Sequence, residues 1–219
     1  MIKIEVLAHK IAEKIVLQLD FDDDKKSVIA YGLIGILQMM TIFIIITMIG
    51  VIFDFWYEAI IIFVGVGLIR KSTGGVHAGS MMSCNILSVV IVTVLSALSR
   101  YILDIPFNTY VNLGLTILVF VICFIIFYLR VPVDSPNKPI TKPEKIRRLR
   151  KQSFLTLSLL ILISSTLILF SAYNERFYSI TVSIRLILLW QSLTLTKVGA
   201  LFIGKIDDLL SWIITSIKN

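Results

Sequence analysis

The chain has 219 residues, of which 57% are apolar and 16% charged, and its mean hydropathy is +0.93. A water-soluble domain carries about a quarter charged residues. This composition therefore excludes a water-soluble protein and predicts an all-α integral membrane protein. The net charge of +7 does not indicate a nucleic-acid partner, because basic residues in short loops between apolar runs usually report membrane orientation.

The first 27 residues predict an amphipathic helix followed by a turn. Within residues 2–19 the apolar side chains recur at helical spacing, whereas most lysines and glutamates lie elsewhere on the helical wheel. Such a helix either lies in the membrane interface or packs on its own protein, and the sequence favours neither placement. The segment DFDDDKK, residues 20–26, is typical of a solvated turn before the membrane begins.

Six apolar runs predict about six membrane segments within one membrane domain, residues 1–219. A spanning helix needs about 20 apolar residues, and four runs supply a length of that order: residues 28–50, 107–129, 153–173 and 177–200. Two further runs, residues 55–69 and 86–99, are shorter, of about 15 residues each. No basic, cleavable export signal precedes the first run, so we expect that run to stay in the mature protein.

The loop at residues 130–152, here called the basic loop, is the most positively charged part of the chain. It carries eight lysines and arginines against two acidic residues, so the positive-inside rule predicts that it is cytoplasmic. Counting six segments from it places both termini on the same side. The second half of the loop, EKIRRLRKQ, favours a helix. The loop either anchors this topology on the anionic headgroups of the lipid bilayer or docks an acidic segment of a substrate through Arg147, Arg148 and Arg150.

Residues 69–85, IRKSTGGVHAGSMMSCN, combine one of the chain's two histidines with one of its two cysteines, and we call them the His–Cys stretch. A cysteine is a useful nucleophile only as a thiolate, and a neighbouring imidazole is its usual activator. Cys84 and His77 are therefore the candidate nucleophile and base, on the cytoplasmic side. Seven residues of straight helix climb about 10 Å, so a working pair requires the chain to turn between them. The three glycines of the stretch permit such a turn.

The alternative interpretation is that the two residues are neighbours by chance and that Cys84 packs among small residues in a membrane helix. A metal site is not expected, because zinc normally takes three or four protein ligands and the stretch offers two without an acidic residue. No cofactor is expected either.

Three residues inside the apolar runs are interpreted individually. Cys123 is interpreted as a packing residue, and Gln191 is expected to bond across helices. Arg185 is an intramembrane charge that is either functional or snorkels to the interface.

The sequence RKSTGGVHAGSMMSC, after an apolar run in a chain with six predicted membrane segments, resembles the accessory gene regulator B family, the membrane endopeptidases of Gram-positive quorum sensing. The segment VPVDSPNKPI before the basic run is also similar to that family's central loop, and the resemblance covers essentially the entire chain. It implies that His77 and Cys84 are the catalytic histidine and cysteine. It also implies that Arg70 and Gly75 belong to the same motif.

The resemblance further implies a substrate and a reaction. The substrate is a short precursor peptide with an amphipathic leader, a central Cys or Ser and an acidic C-terminal tail. The enzyme removes the tail and holds the rest as an acyl thioester on Cys84, from which the peptide's own side chain closes a thiolactone or lactone ring. A homodimer is implied as well. From the residues alone, two other classes stay open: a small peptide transporter without catalysis, and a structural subunit of a signalling complex.

Overall fold

A computed structural model of the chain describes residues 3–19, 22–76, 78–102, 108–134, 142–171, 174 and 176–218. These residues form eight α-helices and one π-helical turn. The turn, Leu98–Ile102, directly continues the fourth helix. The helices are α1 Lys3–Leu19, α2 Asp23–Ile52, α3 Trp56–Thr73, α4 Met81–Ala97, α5 Thr109–Arg130, α6 Pro143–Phe170, α7 Arg176–Thr194 and α8 Lys197–Lys218.

Among the described residues, five helices are long and apolar enough to cross a membrane, which makes this an all-α, multi-pass membrane protein. They are Asp24–Ile52, Met81–Tyr101, Thr109–Arg130, Pro143–Phe170 and Arg176–Thr194. Helix α3 corresponds to the sixth predicted segment, residues 55–69, and is not among these five. Its 18 residues include three charged ones, Glu58, Arg70 and Lys71, which shorten its apolar part.

Two predicted boundaries are wrong, and in both cases a hydroxyl cap explains the difference. The run at 86–99 was expected to be short, but α4 begins at Met81 behind the cap Ser80 and reaches 21 residues with the π-helical turn. The run at 177–200 ends instead at Thr194. The oxygen Oγ1 of Thr196 accepts a hydrogen bond from the N–H of Gly199 (3.1 Å), which starts α8, a helix that the sequence analysis did not predict.

The N-terminal helix α1 is confirmed, and one of its faces packs on α2. The packed face is built from Ala8, Ala12 and Val16, all of which are buried. Small side chains on that face let the two helix backbones approach closely. On the other side Leu17 is 78% exposed, so α1 has a protein-facing side and also an apolar side with no cover among the described residues.

Helix α7 lies at the centre of the bundle. Two thirds of it, 67%, is buried inside the protein, against 17 to 22% for the other four candidate spans. It packs against α3, α5 and α6. At Gly65 of α3 a Cβ atom would lie 2.5 Å from Cδ1 of Ile187, so the glycine is needed for the close approach of α3 and α7. Cys123 lies fully buried in the apolar core that these helices form, as expected of a packing residue.

Arg185 and Ser179 of α7 both bond to polar groups of neighbouring helices. The Arg185 side chain is buried, and its Nε donates to Thr116 Oγ1 (2.9 Å) while Nη2 donates to the carbonyl of Asn112 (2.9 Å), both on α5. Arg185 therefore joins two helices rather than reaching outward. The hydroxyl of Ser179 donates to Oε1 of the fully buried Glu58 (2.7 Å), which ties α7 to the first turn of α3.

Candidate active site

The His–Cys stretch forms the end of α3, an irregular segment and the start of α4. Helix α3 ends at Thr73 and is followed by Gly74 and Gly75, whose φ angles are +73° and +129°. Only glycine adopts such angles without strain. Ser80 then caps α4, its Oγ accepting from the N–H of Ser83 (3.0 Å). The described residues 74–76 and 78–80 are therefore not helical, and α3 and α4 are separate helices, as the seven-residue spacing requires.

The C-terminal end of α7 holds the beginning of the irregular segment. The Nε2 atom of Gln191, a fully buried side chain, donates both to Oγ1 of Thr73 (2.8 Å) and to the carbonyl of Gly74 (2.9 Å). Three residues further along α7, the carbonyl of Thr194 accepts from the N–H of Val76 (3.3 Å). Gln191 thus bonds across helices as predicted, and its partner is the His–Cys stretch itself.

A second element, just after α5, supports the same backbone from another direction. The N–H of Val133 donates to the carbonyl of Thr73 (2.9 Å), and Val133 pairs with Gly74 in an isolated parallel bridge. A Cβ atom on Gly74 would lie 2.0 Å from the carbonyl oxygen of Val133. The segment after α5 therefore covers the end of α3 so closely that no side chain fits at position 74.

Arg70, in the last turn of α3, fixes the far end of this segment. Its Nη2 donates to the carbonyl of Val76, the residue that precedes His77. Arg70 lies beyond the apolar part of α3, and burial lowers the pKa of its guanidinium. Arg70 is therefore a partly buried cation that is bonded to the backbone beside the candidate base.

Cys84 lies in the first turn of α4 and is partly exposed. Its N–H donates to the carbonyl of Ser80 (3.0 Å), and its carbonyl accepts from Oγ of Ser88 (2.7 Å). No acidic residue occurs in this first turn. The N-terminal end of a helix favours negative charge, so the position suits a nucleophile that reacts as a thiolate.

The other candidate, His77, lies outside the described residues. Its neighbours Val76 and Ala78 are described, and both are half-buried. Among the described residues no three His, Cys, Asp or Glu side chains come close enough to hold a metal ion together.

The three arginines proposed for substrate docking, Arg147, Arg148 and Arg150, lie at the same end of the bundle as the His–Cys stretch. Arg150 of α6 donates through Nη2 to the carbonyl of Tyr128 (2.8 Å) and lies over that ring, 5.1 Å from its centroid. Tyr128 belongs to the end of α5, and α5 leads directly to Val133 beside Gly74. Arg147 and Arg148 are exposed, so they remain open to a ligand, whereas Arg150 already has a structural contact.

The structure adds three residues that the sequence analysis did not assign to the site: Val133, Thr194 and Asp207. The last of these accepts a hydrogen bond from Gly79 of the His–Cys stretch. Each comes from a distant part of the chain and acts mostly on the backbone. A backbone contact leaves no residue pattern near residues 69–85, and the cap sequence after residue 194 could have shown only where α7 ends.

A model of the family described as accessory gene regulator B matches residues 8–195. The chain belongs to this family. A protein of Clostridium perfringens (strain SM101 / Type A) named as AgrB-like is 32% identical over 209 residues, covering 94% of this chain and 97% of the relative. A second AgrB-like protein, from Clostridium perfringens (strain 13 / Type A), is 30% identical with the same coverage. No solved structure matches. Membership in the accessory gene regulator B family connects the protein with the accessory gene regulator system and with peptide processing.

Proposed function

We propose that the protein is a membrane cysteine endopeptidase that removes the C-terminal tail of a precursor signalling peptide and promotes closure of the remaining peptide into a ring. The observation that carries the proposal is the placement of Cys84. It lies in the first turn of α4, partly exposed, directly after a backbone segment that α3, α7 and the residues after α5 hold in place. In a family connected with peptide processing, such a cysteine is the natural nucleophile.

In the proposed reaction, His77 takes the proton of the Cys84 thiol, and the sulfur attacks the carbonyl carbon of the scissile peptide bond. A C–S bond forms, the C–N bond breaks, and His77 returns the proton to the amine of the departing tail. The thiol or hydroxyl of the retained peptide then attacks the thioester. This step closes the ring and regenerates the Cys84 thiol.

Ring closure competes with hydrolysis of the thioester by water. An attacking group on the same bound peptide has a very high effective concentration, of the order of 10⁵ M or more in well-oriented intramolecular reactions. A partly buried position such as that of Cys84 limits the access of bulk water. Both effects favour the cyclic product.

The proposal includes an orientation and partners. Both termini, the His–Cys stretch and the basic loop face the cytoplasm, and the exposed Arg147 and Arg148 bind the acidic tail of the precursor. The enzyme works as a homodimer in the lipid bilayer, and the exposed leucines of α1 seat that helix beside the substrate's amphipathic leader. The presence of Arg147 at the same end of the bundle as Cys84 supports this arrangement.

The test is reconstitution of the full chain in lipid nanodiscs with a synthetic precursor peptide of this design. We expect mass spectrometry to detect a peptide adduct on Cys84 and the released tail, and to detect neither with Cys84→Ala. With His77→Ala both should fall by at least a hundredfold, since general base catalysis contributes about 10²–10⁴-fold. Cys123→Ala is the matched control, because this cysteine lies in the core. Processing by Cys84→Ala at the wild-type rate would exclude the proposal.

A peptide transporter without catalysis is the second candidate. The buried Glu58 and Arg185 favour it, because ionisable residues inside membrane helices often mark a transport path. A transporter would keep its activity in Cys84→Ser and would move an intact peptide across the bilayer. The hydrogen bonds of Arg185 to α5 and of Glu58 to Ser179 account for both residues without transport.

A further inference from the structure

Helix α8 carries an acidic residue that contacts the His–Cys stretch. The Oδ2 atom of Asp207 accepts a hydrogen bond from the N–H of Gly79 (2.8 Å). A Cβ atom at position 79 would lie 2.9 Å from the same oxygen, so a side chain there would displace the Asp207 carboxylate. Helix α8, Lys197–Lys218, lies beyond the residues 8–195 that match the family model.

The second carboxylate oxygen of Asp207, Oδ1, is buried and has no hydrogen-bond partner among the described residues. A buried oxygen without a donor is unfavourable, which points to a donor outside the described set. Gly79 is two residues from His77, and two residues of chain span at most about 7 Å. The backbone amide that Asp207 accepts from is therefore close along the chain to the candidate base. Asp208, its neighbour on α8, is exposed.

Resting on the function proposed above, we propose that Asp207 is a positioning residue for the His77–Cys84 pair. Through Oδ2 it fixes the backbone between the two residues. Through its negative charge it stabilises the imidazolium that forms when His77 takes the proton of Cys84. In other cysteine and serine hydrolases a third polar group supports the base in the same sense, and here α8 supplies it.

The test uses iodoacetamide as a probe of Cys84 and hydrogen exchange as a probe of the Gly79 amide, both on the full chain in nanodiscs. Asp207→Ala removes both roles, so we expect faster exchange at Gly79 and about tenfold slower alkylation of Cys84 at pH 7. Asp207→Asn keeps one acceptor oxygen for Gly79 but loses the charge. It should retain the amide protection and still show slower alkylation. The matched control Asp208→Asn makes the same charge change and should behave as wild type.

The two readouts separate positioning from simple packing. A merely structural role would expose Cys84 when Asp207 is lost and would leave alkylation unchanged or faster, and either result overturns the proposal. Unchanged exchange at Gly79 in Asp207→Ala overturns it as well. Failure of the proposed function is distinguishable, because His77→Ala would then be alkylated at the wild-type rate while the exchange at Gly79 still responded to Asp207.

Discussion

Replacement of Gly75 by alanine tests whether the irregular segment must keep its observed backbone. The φ angle of Gly75 is +129°, and a residue other than glycine that is held at this angle is strained by about 1–3 kcal/mol. The new Cβ would also lie 2.9 Å from Oγ1 of Thr194 and 3.4 Å from Nε2 of Gln191. Overpacking of this kind costs about 1–3 kcal/mol. With partial relaxation we expect a total of about 3 kcal/mol, which lowers the population of the working conformation by about 150-fold.

The assay is the rate of tail release from the synthetic precursor, measured per mole of folded protein. Gly67→Ala is the matched control, because Gly67 lies on α3 with no atom within 4 Å of an added Cβ, and alanine suits a helix better than glycine. Thr194→Ala in the Gly75→Ala background removes the steric part of the cost. In this double variant the rate of tail release should rise about tenfold above that of Gly75→Ala. The remaining loss is the cost of the φ angle.

Two results would refute this reasoning. If Gly75→Ala released the tail as fast as Gly67→Ala, the observed backbone at position 75 would not be the active one. If Thr194→Ala gave no recovery in the double variant, the close contact with α7 would not contribute. The carbonyl of Thr194 still accepts from Val76 in that variant, so the experiment leaves the backbone bond in place.

The remaining predictions concern the charges of the site and the packing beside it. Arg70→Met is expected to slow both tail release and Cys84 alkylation by about tenfold, because a hydrogen bond from a charged donor contributes about 1.5–3 kcal/mol. Arg70→Lys should recover part of the loss. Equal rates in the wild type, Arg70→Met and Arg70→Lys would contradict this. Replacement of Arg147 and Arg148 by glutamine should raise KM for a precursor with an acidic tail and should remove its salt dependence, whereas a salt response equal to wild type would exclude docking at these residues. Gly65→Ala should lower the thermal midpoint through contact with Ile187, and Ile187→Val, which deletes the contacting methyl, should restore it; no recovery would show that the close packing is not limiting.

The main features of the site could be predicted because they depend on nearby residues. Glycines at positions 74 and 75 indicated an interruption of helix, and the structure places positive φ angles there. The apolar run before them, residues 55–69, was expected to be a short membrane segment, and α3 is not among the five helices of the described residues that are long and apolar enough to cross a membrane. Such signals are visible because both the cause and the effect lie within one turn of chain.

The errors arose where apolar composition outweighed hydroxyl caps. Ser80 is followed three residues later by Ser83, and the pair starts α4 well before the apolar run itself begins. Thr196 plays the same part for α8. Hydropathy counts these residues as nearly neutral, so a span drawn from hydropathy alone continues through them. The caps act through backbone N–H groups, which do not enter a hydropathy sum.

The sequence predicted that Gln191 bonds across helices, but the partners of Gln191 and Asp207 could not be predicted, because they depend on which distant helix ends meet. These contacts form because the backbone groups of the irregular segment need hydrogen-bond partners. Backbone N–H and C=O groups at the edge of a membrane must find partners, and a segment without helical bonds has none of its own. Partners for it come from α3, α7, α8 and the residues after α5. The groups that make irregular backbone tolerable beside Cys84 are therefore the same groups that hold it in one place, so the requirements of the membrane and those of the proposed catalysis select the same residues.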